Sequence, residues 1–377
     1  MQLDLSSGIL LIGIVQGLFL ALSLVLHKPA PLVANRFLAA LMLSFAIALL
    51  VHFLQVTELW RVWLKTYLLG SAVVFVFGPL LYLYTRQLTQ PSRRFTLSLL
   101  LHFVPVCLNW ALFIPLLFAP PESVINGIVA GQSADQGLSV LPLLKATSVV
   151  LYTLWSLKLW FEHAHRIRQT FSALEQKSLS WLRNLLLGFL SFETVFVVVM
   201  LADVDLSMIP AGIDSVLSLV LVVLIFMTGF YGLQQPEIFR HVNDAPVPEM
   251  PEASEAGKQK VSNLNTQVKA HIDAELDRVV RTDNLYTERF LDLRTLAQHV
   301  KVTPHQLSEY LNDVLKVNFY DYINGLRIDE AKRQLVASDT PILDVGLAVG
   351  FNNKATFNKA FKKHTAMTPS QYRKENQ

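Results

Sequence analysis

The sequence predicts an all-α protein in two parts, a seven-helix membrane domain over 1–235 and a soluble domain with two helix-turn-helix units over 263–377. Three observations carry this. Charge is split unevenly: residues 1–235 hold 13 Lys+Arg and 10 Asp+Glu, whereas the remaining 142 hold 19 and 19. The first part contains seven apolar runs of spanning length. In the second, one helix-start pattern recurs after about fifty residues. The whole chain is 52% hydrophobic and 16% charged, against about 25% charge in soluble domains, so part of it is expected outside water.

Each helical residue rises about 1.5 Å, so about 20 apolar residues cross roughly 30 Å of hydrocarbon. The runs are Gly8–Leu26, Phe37–Leu54, Tyr67–Tyr84, Thr96–Phe118, Leu144–Phe161, Leu185–Leu201 and Ile213–Leu233. The leader Met1–Ser7 lacks Lys and Arg, unlike a signal peptide, so the first run reads as an uncleaved helix. Alternate loops carry Lys28, Arg36, Arg86, Arg93, Arg94, Arg166, Arg168, Lys177 and Arg183, while the opposite set carries only Arg61 and Lys65. Basic loops stay in the cytoplasm. The expected topology is therefore N-terminus outside and C-terminal domain inside, at the cytoplasmic membrane.

Inside the spans, Glu193 lies near the middle of the sixth run. A charged group at mid-bilayer costs about 2.5–3.5 kcal/mol on insertion scales, so it turns inward toward a partner. His102, at similar depth, is the candidate. The pair either fastens helices or forms a ligand or proton site. Pro79, Pro105 and Pro115 each remove a backbone donor, so kinks are expected near them. The loop Ala119–Leu143 is rich in Gly, Ser and Pro and reads as a lid or a connector.

Nothing in the sequence argues for an enzyme or a cofactor. There is no HExxH, Gly-rich phosphate loop or nucleophile–base pair, and His163/His165 is too short a cluster for a metal site. With Cys107 as the sole cysteine, an intramolecular disulfide and a Cys-rich metal site are excluded.

Residues 236–262 hold Pro236, Pro246, Pro248 and Pro251 with Glu249, Glu252 and Glu255, the composition of a flexible linker. Beyond it, Val268, Ile272, Leu276 and Val279 recur at helical spacing. The first helix-turn-helix unit, about 293–312, has the stripe Leu293, Leu296, Ala297 and Val300. Thr303 then serves as N-cap and Pro304 as the first residue of a helix burying Leu307, Tyr310, Leu311 and Val314. The second unit, about 342–363, starts after Thr340-Pro341 and faces Ile342, Val345 and Val349 inward. It turns at Gly350, which tolerates positive φ, and is capped by Asn352 or Asn353 ahead of Phe357 and Phe361. A connecting helix is expected over Phe319–Val336.

These residues resemble the DNA-binding domain of AraC/XylS-type transcription regulators over 264–377. The motifs are Ile342, Asp344-Val-Gly346, Gly350-Phe351, Asn353, Phe357, Phe361-Lys-Lys363, Thr368-Pro369 and Tyr372-Arg373. The first unit adds Leu296-Ala297, Leu307-Ser308, Asn318-Phe319, Tyr322, Arg327 and Ala331. Lys316 and Ala366 stand where that family usually has glycine, and Gly346 where it has alanine. The membrane part is similar in architecture to seven-helix sensor halves of a subset of such regulators.

The resemblance implies two reading helices from one chain in successive major grooves of double-stranded promoter DNA. Residues outside the core stripes are then the readers: His305, Gln306, Ser308 and Glu309 in the first unit, Lys354, Asn358 and Lys359 in the second. Asn358 suits adenine and the lysines suit guanine, while Lys362, Lys363 and Arg373 suit phosphates. Residues 341–377 carry 6 basic and 2 acidic groups, and 293–316 carry 3 and 2, so the second unit is expected to supply more electrostatic affinity.

The expected activity is transcription regulation coupled to an unknown signal ligand or partner protein. A homodimer is compatible, and an activator would also meet RNA polymerase. Two rivals remain at this level: a transporter or membrane enzyme with a DNA-binding appendage, and a regulator released by cleavage in the linker.

Overall fold

The computed structural model describes residues 5–26, 32–90, 96–134, 140–175, 177–201, 219–232 and 264–377. Lys28, Arg93, Arg94, the 236–262 linker and both ends of the seventh run lie outside the described residues. No strand occurs among the described residues. The chain forms two units, Met1–Phe161 with Leu179–Asp244, and Glu162–Ser178 with Ala245–Gln377.

The first unit contains α1 (Leu5–Leu26), α2 (Leu32–Val56), α3 (Leu64–Gly70) and α4 (Val74–Thr89). After these come α5 (Val104–Phe118) and α6 (Pro121–Ala134). The long helix α7 (Val140–Thr170) leaves the unit after Phe161, and α8 (Ser180–Leu201) lies in it. Among the described residues six helical stretches are long and apolar enough to cross a membrane, and α9, Leu219–Gly232, is a shorter apolar helix within the seventh run.

Small residues let α1 and α2 approach: a Cβ on Gly17 would lie 3.1 Å from that of Ala46. From α2, Leu38, Leu41, Met42 and Phe45 are fully buried, and Phe45 meets Phe77 edge-on at 4.7 Å. The other face of α1 is apolar and open, with Ile12 61% and Val15 65% exposed.

Of Pro79, Pro105 and Pro115, only Pro105 stands at a change of helix geometry; Pro79 and Pro115 lie within α4 and α5, which continue past them. A 3-10 turn, Ser71–Val73, precedes α4, which contains Pro79, and a 3-10 stretch, Leu97–Phe103, gives way to α5 next to Pro105. Most of the Ala119–Leu143 loop is helical: α6 seats Val124 against Leu54, Trp60, Leu64 and Leu68. Its glycines and serines lower helix propensity, and tertiary packing overrides them.

The second unit adds α10 (Thr266–Arg281), α11 (Leu293–Val300), α12 (Pro304–Glu309), α13 (Phe319–Ala337), α14 (Ile342–Ala348), α15 (Lys354–Thr365) and α16 (Pro369–Asn376). It has two hydrophobic cores. One gathers Ile272, Leu276, Leu296, Leu307, Leu311, Phe319 and Ile323. The other gathers Ile328, Leu335, Val345, Phe351, Phe357 and Phe361. The N-terminal half of α13 belongs to the first and its C-terminal half to the second, so one helix positions both helix-turn-helix units.

Candidate nucleic-acid interface

Capping defines the first unit. Asp292 accepts from the Thr295 amide at 2.8 Å to start α11, and Lys301 at φ +60° ends it. Thr303 then accepts from the Gln306 amide at 3.2 Å while Gln306 accepts from the Thr303 amide at 3.0 Å. This reciprocal box, with Pro304 at the first helical position, is worth about 1 kcal/mol. After Glu309 the helix widens into a π turn, Tyr310–Val314, which shifts the helical register and leaves Val314 42% exposed where a buried position was expected.

In the second unit Gly350 adopts φ +101°, and a Cβ there would lie 2.7 Å from the Thr287 carbonyl oxygen and 3.0 Å from Arg327 Nε. Asn353 caps α15 by accepting from the Thr356 amide at 2.9 Å, which settles the choice left open between Asn352 and Asn353. Phe357 sits 5.3 Å from Phe351 and 5.6 Å from Phe361.

The departures from the resembled pattern have local consequences. Lys316 and Ala366 adopt φ +57° and +61°, the left-handed region that favours glycine. Gly346 is fitted to its neighbour, because a Cβ there would fall 2.8 Å from Phe357 Cδ1.

The expected reading residues are not equally available. His305, Lys354, Lys359 and Lys362 are exposed, and Glu309 is half-buried. The spacing of Lys354, Asn358 and Lys362 puts them on one face of α15. Asn358 is half-buried, with Oδ1 buried and no hydrogen bond to it among the described residues.

Four expected contacts are otherwise engaged. The Gln306 amide is committed to the cap. Ser308 is 4% exposed and accepts from Asn312. Lys363 pairs with Asp321 of α13. Arg373 donates to the Leu335 and Thr340 carbonyls, joining α16 to the end of α13, so its guanidinium serves the fold where a phosphate contact was expected.

Sequence reasoning gave Arg327 only a place in the motif. It is 1% exposed and donates to the carbonyls of Tyr286 at 2.7 Å and Glu288 at 2.6 Å, and to Asn324 Oδ1 at 3.2 Å. Burial pulls its pKa down to about 10, partly offset by the negative charge of Glu175. It is a structural hub between the two cores.

In the first unit, His102 Nδ1 is 2.8 Å from the Tyr152 hydroxyl, within an aromatic group that includes Tyr82 and Trp155. Glu193 is half-buried, and no hydrogen bond or ion pair to it occurs among the described residues. Of the two expected partners, His102 is thus joined to Tyr152. His163 Nε2 is 2.9 Å from the Lys177 carbonyl oxygen.

Comparison with known proteins bears on the C-terminal region. The helix-turn-helix domain family matches residues 296–375. An uncharacterized HTH-type transcriptional regulator of Staphylococcus aureus is 34% identical over 101 residues, 27% of this chain and 14% of that protein. The arabinose operon regulatory protein of Salmonella typhimurium is 35% identical over 92 residues, 24% of this chain and 32% of that protein. Among solved structures, the C-terminal domain of AraT, a response regulator from Geobacillus stearothermophilus, has 24% identity. That likeness covers 30% of this chain and 88% of that one, with a TM-score of 0.25. An AraC-type transcriptional regulator from Chromobacterium violaceum has 25% identity, covering 28% and 96%, with a TM-score of 0.26.

The chain thus spans well under half the length of the curated relatives it matches. Two capped helix pairs on a shared α13, the family match and the identity to the arabinose regulator agree: the C-terminal domain of this chain is an AraC-type helix-turn-helix DNA-binding domain.

Proposed function

We propose that the protein is a membrane-embedded transcription regulator, in which apolar helices sense a signal and the AraC-type domain binds promoter DNA on the cytoplasmic side. The observation that carries this is the presence, in one chain, of a helix-turn-helix domain and six helices of spanning length. The open apolar face of α1 supports lipid contact, since such a face in water would be a liability. The basic bias of alternate loops supports an N-out, C-in topology.

In this reading the N-terminal halves of α12 and α15 enter successive major grooves. His305 and Glu309 are the readers from α12, and Lys354, Asn358 and Lys359 those from α15. Lys362 neutralises phosphate. Glu193 and the His102–Tyr152 pair are the candidates for sensing, and the signal acts by favouring one arrangement of the apolar helices over another.

Reporter fusions test the topology: Ala130 should report periplasm and Asp244 cytoplasm. The reverse pattern would deny the domain access to DNA.

A further inference from the structure

The second unit includes a stretch far from the rest of it in sequence. Residues Glu162–Ser178 connect the apolar parts of α7 and α8, yet they pack with the helix-turn-helix domain. The packing is specific. Ser172 is 2% exposed; its amide and hydroxyl both donate to the Leu291 carbonyl, at 3.2 and 2.7 Å. The Ser172 carbonyl accepts from Asn324 at 3.3 Å, and its hydroxyl oxygen accepts from Arg327 Nη2 at 3.3 Å. Phe171 is buried, pairs with Asp292 as an antiparallel bridge and carries Lys177 Nζ 3.2 Å above its ring. Gln169 Oε1 accepts from Asn312 Nδ2 at 2.8 Å.

These contacts reach the groove-entering helix of the first unit. Leu307, Tyr310 and Leu311 fill the domain core. Ser308 lies off that stripe, and a helix that reads DNA must present such positions to the groove. Here Ser308 is covered, and the Asn312 amide that holds it also holds Gln169. Asp292, the cap of α11, is bridged by the same segment. Through Asn324 and Arg327 the segment also grips α13, the helix common to both units.

We propose that Gln169–Glu175 is the intramolecular occupant of a docking surface formed by Leu291, Asp292, Asn312, Asn324 and Arg327, and that while seated there it keeps the first helix-turn-helix unit off DNA. The segment is joined at both ends to apolar helices, so a signal that repositions those helices pulls on the occupant directly. Release frees Asn312, beside Ser308, from Gln169, and frees α13 from Ser172. This inference rests on the DNA-binding reading above.

The test locks the occupant in place in the full chain, reconstituted in nanodiscs. Antiparallel bridge partners have Cα atoms about 4.5–5.5 Å apart, within disulfide range. The variant is Phe171→Cys with Asp292→Cys in a Cys107→Ser background, which removes the sole native cysteine. The probe is a duplex selected from a random pool by the reduced variant. The oxidised protein should bind it at least about tenfold more weakly than the same molecule after reduction, as expected when one reading helix is withheld. Because one preparation is compared with itself, misfolding cannot imitate the result. Equal affinity in both states overturns the proposal, as does failure of the cross-link to form. If neither state selects or binds any duplex, the selection is repeated with a Gln169→Ala, Phe171→Ala, Ser172→Ala variant, whose occupant has lost its side-chain contacts: binding by that variant alone upholds the proposal, and no binding by it sinks the DNA-binding reading.

Discussion

The two left-handed positions Lys316 and Ala366 give a stability prediction that can be worked through. A side chain at φ near +60° is crowded against the following carbonyl, at about 1–2 kcal/mol per residue. Glycine escapes this but loses more chain entropy on folding, roughly 0.5–1 kcal/mol. The net gain from Lys316→Gly or Ala366→Gly is therefore about 0.5–1 kcal/mol each.

The two sites lie at the ends of different helix-turn-helix units, so the gains should add. Unfolding entropy near 2.1 cal/mol/K per residue over a domain of about 115 residues is about 0.24 kcal/mol/K. Each substitution should then raise Tm by about 2–4 °C, and the pair by about 4–8 °C. Gly350→Ala is the opposing control: φ is +101° and the new Cβ would meet the Thr287 carbonyl oxygen at 2.7 Å, so Tm should fall by about 8 °C or more, a loss of at least about 2 kcal/mol. Thermal unfolding of residues 262–377, followed by circular dichroism at the helix band, compares the four variants with the parent. A fall in Tm for either glycine variant would show that the backbone there is not held in the left-handed region and would refute the reasoning.

The other predictions concern the DNA face, pH and the sensor. Lys362→Ala should weaken binding to all duplexes alike and reduce the salt slope by about 1. Arg373→Ala should instead lower Tm, because it orphans the carbonyls of Leu335 and Thr340; an unchanged Tm with weaker DNA binding would restore its phosphate role. Lys359→Ala should cost about 1–3 kcal/mol at one base position of a selected site, read by competition with single-base variants. Burial and neighbouring Lys363 hold the His364 pKa below the ordinary histidine value. Protonation therefore favours the unfolded chain: stability is complete above the ordinary histidine pKa and declines as pH falls toward the lowered folded value. His364→Gln should flatten that part of a Tm-versus-pH curve. Glu193→Gln should abolish response to the inducing condition in a promoter reporter at normal membrane levels if a charged Glu193 is a switch; normal induction in both Glu193→Gln and Glu193→Ala would make it a fastener.

What the sequence made legible was local. Thr303-Pro304 and Asn353 announce helix starts because caps and first-turn prolines act within three residues. Gly350 announces a turn because few residues tolerate its φ. The expected connecting helix Phe319–Val336 differs from α13 by one residue at its end, since Asn318 caps it and its apolar residues hold helical spacing.

The parts that were not legible depend on contacts between distant residues. Ser172 meets Leu291 across 119 positions and Arg327 across 155, and a single serine carries no periodic signal. Arg373 and Lys363 read as phosphate ligands because a basic residue on a surface helix looks the same in sequence whether a carbonyl, a carboxylate or DNA awaits it. Ser308 was expected at the surface because it lies off the apolar stripe, yet it is 4% exposed and accepts from Asn312. Helix α6 was hidden by its glycines, whose cost is offset by Val124 and its packing partners.

The central claim is that one chain holds lipid and DNA together, and a flotation assay measures it directly. Full-length protein in liposomes is mixed with a fluorescent duplex carrying its selected site and centrifuged through a density gradient. The account predicts that duplex and protein float together at roughly 50 mM salt, and that raising salt to roughly 200 mM releases DNA by orders of magnitude while protein stays with lipid. DNA that remains at the bottom with floating protein, or protein that does not float at all, would contradict it.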